Sequence, residues 1–180
     1  MLIKQEIPCI MHLENRVGEK ILTMLLSIAE ELYQRRRIAS SIEDYIKEVE
    51  RIASRVILGT EWRPKQWRMT LKENDQEVAS VSLSNTKMRA FMTLLQPLIE
   101  FIFQHPEDAI LREDWLQLLE YYNPAMELLQ KPTEFTDDEI GEFLSLIDSF
   151  YGKWIALVGI EGITNYVHML GSGHILYYLQ

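Results

Sequence analysis

The sequence predicts a mainly α-helical protein, a compact bundle of about five to seven helices with one small β-hairpin between the second helix and the third. Three observations lead there. Apolar residues recur at steps of three and four through most of the chain, a helix-opening capping box occurs twice, and only one short stretch switches to period-two alternation. With 180 residues, 47% hydrophobic and 25% charged, the chain has the length of a single domain, residues 1–180, and enough apolar side chain to build a core.

The first ten residues, with Pro8 among them, suit an extended segment leading into the first helix. That helix is predicted over 14–36: Val17, Ile21, Leu25, Ile28 and Leu32 fall on one face, Glu19, Lys20, Glu30 and Glu31 cover the other, and Arg35-Arg36-Arg37 suits the negative end of the helix dipole. Ser40 and Glu43 form a capping box for a second helix whose stripe is Ile42, Ile46, Val49, Ala53 and Val56, with Gly59 as its stop. Trp67, Met69 and Leu71 then alternate with polar residues, and after Glu73-Asn74-Asp75-Gln76 so do Ala79, Val81 and Leu83, which is the hairpin. A third helix capped by Ser84 or Asn85 runs to about Phe103, kinked or divided by Pro97. Pro106 opens a fourth, which Asn123-Pro124 restarts or kinks. Thr136 and Glu139 cap a long fifth helix through Val158, and a short helix over 163–170 precedes an apolar tail, residues 175–180, that needs a surface to dock on.

Charge narrows the function. The net charge of −9 argues against a chain that coats nucleic acid through bulk electrostatics. The charge is uneven, however: residues 1–104 carry 15 Lys and Arg against 14 Asp and Glu, whereas residues 105–180 carry 3 against 13. Between Arg35 and Arg68, nine basic residues face five acidic ones, enough for a local positive patch. The lone Cys9 cannot close an internal disulfide, and no stretch reads as a signal peptide or membrane span, so a reducing intracellular compartment is expected, nucleus and cytoplasm both open, with no membrane partner.

Two groups of residues have the chemistry of a site. Trp62, Arg63, Lys65, Trp67 and Arg68 interleave two indoles with three cations, the combination that stacks on bases while neutralising phosphates; Arg35, Arg36 and Arg37 could extend it. The competing reading is a solvated basic loop pinned by its tryptophans. His12, Glu14, His168 and His174 lie near the two ends of the chain and offer nitrogen and oxygen ligands for a divalent metal if those ends meet. Against it stand ordinary helix-end histidines, since no pair has the spacing of a helical zinc site. His12-x-Glu14 lacks the two further cysteines of a zinc deaminase, and Gly171-Ser172-Gly173 lacks the Lys-Ser/Thr of a P-loop.

Two segments also carry a resemblance. Ile7–Lys20 (IPCIMHLENRVGEK) and Gly162–His174 (GITNYVHMLGSGH), together about 27 residues, resemble uncharacterised multi-copy proteins of invertebrate and protist genomes that look derived from mobile elements. The resemblance implies a piece of a larger transposon-encoded protein, such as the helical region of an RNase H-like transposase, enzymes that cut and join DNA with carboxylate-held divalent metal. This chain has no alternating pattern long enough for the sheet of such an enzyme, and none of its carboxylates matches a catalytic one. The expectation is therefore a non-catalytic helical module of mobile-element origin that contacts DNA or other subunits. The alternatives are a structural or protein-interaction domain, using the apolar C-terminal segment against itself or a partner, and a metal-dependent hydrolase.

Overall fold

A computed structural model describes residues 10–36, 51, 67–69, 79–81, 85–93 and 95–171. Helices dominate them. In chain order they form α1 (Ile10–Arg36), β1 (Trp67–Met69), β2 (Ala79–Val81), α2 (Asn85–Thr93), α3 (Gln96–Ile102), α4 (Ala109–Leu129), α5 (Asp137–Val158) and α6 (Asn165–Gly171), with single 3-10 turns at Pro106–Asp108 and Ile160–Gly162. The capping box at Ser40 and Glu43, most of the predicted second helix and the apolar tail lie outside the described residues. Arg51, from that second helix, is helical.

The contacts divide the chain into two compact units, residues 1–17 with 117–180 and residues 18–116, so that α1 and α4 each contribute to both. In the second unit, Ile21, Leu22 and Leu25 of α1 are buried, as are Met88 and Phe91 of α2. Gly18 lets α1 approach closely there: a Cβ at this position would stand 2.8 Å from Met88 Sδ and 2.9 Å from its Cγ. β1 and β2 pair antiparallel, Trp67 opposite Val81, Arg68 opposite Ser80 and Met69 opposite Ala79.

α1 begins four residues earlier than its polar pattern predicts, at Ile10 rather than Glu14. The reason is burial. Leu13 and Glu14 are both covered, so tertiary contacts hold a first turn that propensity alone does not specify. Pro97 divides the predicted third helix into α2 and α3: it occupies the first turn of α3, where no amide hydrogen is required, while Leu98 and Ile99 donate to the Leu95 carbonyl at 3.0 and 3.1 Å. At Pro124, where the pattern predicts a restart or a kink, the helix does not restart: α4 runs unbroken through it. A proline there forfeits one backbone bond, but Tyr122, Ala125, Met126 and Leu129 are all buried around it, and that apolar face holds the helix together.

α5 is the best specified element. Thr136, in extended conformation, accepts from the Glu139 amide while the Glu139 carboxylate accepts from the Thr136 amide at 2.9 Å, the reciprocal bonding of a capping box. Asp137, Asp138 and Glu139 complement the positive end of the dipole. The helix stops at Gly159, whose φ of 78° and ψ of 173° suit glycine and penalise any side chain. Replacing Thr136 with Ala is expected to destabilise the protein by about 1 kcal/mol, read as a shift in urea midpoint at unchanged slope.

Candidate functional site

The first unit holds a buried, hydrogen-bonded carboxyl group. Glu14, in the first turns of α1, is 3% exposed, and its carboxylate Oε1 accepts a hydrogen bond of 2.8 Å from Gln130 Nε2, just past the end of α4. Its backbone carbonyl accepts from the Tyr122 hydroxyl at 3.1 Å. A buried carboxylate is tolerated only with such partners, so these bonds fix the start of α1 against α4. Tyr122 in turn lies with its ring centroid 5.6 Å from that of Phe150, which joins α4 to α5.

Beside this network, Pro124, Glu127 and Leu128 of α4, Gln130 and Lys131 of the following turn and Glu142 of α5 line an open cleft of about 320 Å³. Lys131 pairs with Glu139 of α5. The Lys131 ammonium, then the Thr136 backbone amide, hold the Glu139 carboxyl at about 2, below its usual 4.5. Because the folded value is the lower one, the stabilisation from these bonds is fully present above about pH 4.5 and is lost as pH falls from there toward about 2. A Glu139→Gln variant is expected to show a shallower loss of melting temperature across that window than the parent. Parallel curves in thermal unfolding at a series of pH values would contradict the assignment.

The residues singled out from sequence are distributed as follows. His12 and His168 are exposed, on α1 and α6, and Glu14 is held by Gln130. Among the described residues no three or more His, Cys, Asp or Glu are grouped to hold a metal ion, and His174 and Cys9 lie outside them. Of the basic and aromatic segment, Trp67 and Arg68 belong to β1, whereas Trp62, Arg63 and Lys65 lie outside the described residues, as does Arg37. Arg35, in the last turn of α1, pairs with Glu31 at 3.4 Å on an exposed surface. Gly171 closes α6, with Ser172 and Gly173 beyond the described residues. Sequence reasoning had no signal for the Glu14, Gln130 and Tyr122 bonding, which joins residues more than a hundred positions apart. Among the described residues no helix is long and apolar enough to cross a membrane.

No family model, curated protein or solved structure matches this chain.

Proposed function

We propose that the protein is a non-catalytic helical module of mobile-element origin that contacts DNA or other subunits through the segment Trp62, Arg63, Lys65, Trp67 and Arg68, in a reducing nuclear or cytoplasmic compartment. The observation that carries the reading is the ladder between β1 and β2, which gives Trp67 and Arg68 a backbone held in register against Val81 and Ser80. A fixed strand spends less conformational entropy on binding than a loose loop, and stacking on indoles adds sequence-tolerant affinity for exposed bases. The charge distribution supports the same choice of face: residues 105–180 carry 13 acidic against 3 basic residues and repel phosphates, which leaves the basic stretch of the first half.

The aromatic half of this reading is tested on a labelled single-stranded oligonucleotide by fluorescence anisotropy. Trp62→Ala and Trp67→Ala are each expected to weaken binding by about 1–3 kcal/mol, the usual worth of one stacked base. Unchanged affinity in the double variant, at an unchanged urea midpoint, would remove the indoles from the contact.

A second reading, a protein-interaction domain, draws on two large apolar side chains left in solvent, Ile110 at 79% exposure and Ile160 at 74%. That reading predicts a mass that rises with protein concentration and responds weakly to salt.

A further inference from the structure

We draw no further inference here: the strongest candidate, the open cleft between the end of α4 and α5 with Glu127 and Glu142 on its walls, rests on an acidic cluster with no second observation that points to a ligand.

Discussion

Trp154→Ala is expected to lower the stability of the protein by about 3–5 kcal/mol, the range for deleting a large aromatic from a packed core. Trp154 is fully buried on α5, its ring centroid lies 6.0 Å from that of Phe150, and its Nε1 donates to the Gly162 carbonyl at 3.3 Å. Gly162 is shaped by the same contact. A Cβ there would collide with the Val158 side chain and stand 3.5 Å from the indole nitrogen, so the 3-10 turn packs directly on the end of α5. The indole therefore both fills the core of the first unit and anchors the connection to α6. A Trp154→Phe variant separates the two roles, keeping most of the volume while leaving the buried Gly162 carbonyl without its donor. The Trp115 indole, equally buried, has no hydrogen-bond partner for its Nε1 among the described residues. Trp115→Phe thus removes packing and an N–H that makes no hydrogen bond among the described residues, so no such bond is lost. Urea denaturation of both Phe variants should find Trp154→Phe the more costly by about 1 kcal/mol, the net worth of one hydrogen bond; equal losses would assign the Trp154 effect to volume only.

The second large effect is expected at Glu14. Replacing it with Leu removes the acceptor of the Gln130 amide, and leaving a buried donor unsatisfied costs about 1–3 kcal/mol. The backbone bond from Tyr122 survives the substitution, since it ends on the carbonyl of residue 14 and not on its side chain. A double-mutant cycle with Gln130→Leu isolates the side-chain pair: the double variant should be less destabilised than the sum of the two single ones, because neither member of the pair is then left without the other. Strict additivity would mean that the two groups do not depend on each other. Glu14→Gln, which keeps an acceptor oxygen, should fall between the parent and Glu14→Leu.

These two sites show where sequence reasoning reached and where it stopped. Local chemistry was legible. Thr136 and Glu139 announce the start of α5 because a capping box is complete within four residues, and Gly159 marks its end because few other residues accept its backbone conformation. The helical stripes of α1 were legible for the same reason, with Val17, Ile21, Leu25 and Leu32 buried, while Ile28 is half-covered. Pro97 and Pro124 mark the limit. Both forbid one backbone bond, yet one divides a helix and the other does not, and the difference lies in what packs around each. The start of α1 is a tertiary matter too, since Glu14 is polar in sequence and buried in the fold. Ligand chemistry near the chain ends makes Glu14 a candidate metal ligand beside His12; in the fold its carboxylate accepts from Gln130, a partner that no local pattern predicts. The segment Trp62–Arg68 rests on residue chemistry, to which the structure adds the strand carrying Trp67 and Arg68.

The most direct test of DNA contact is the dependence of affinity on salt, measured for the parent and for an Arg63→Ala, Lys65→Ala, Arg68→Ala triple variant on the same duplex. Each phosphate neutralised releases counterions and adds about 0.9 to the slope of log affinity against log salt concentration. The parent is expected to bind steeply and reversibly with salt, and the triple variant to bind more weakly with a slope shallower by about 3 units. Parent and variant lines of equal slope, or no binding by the parent even at low salt, would contradict the DNA-contact reading and leave a protein-interaction domain in its place.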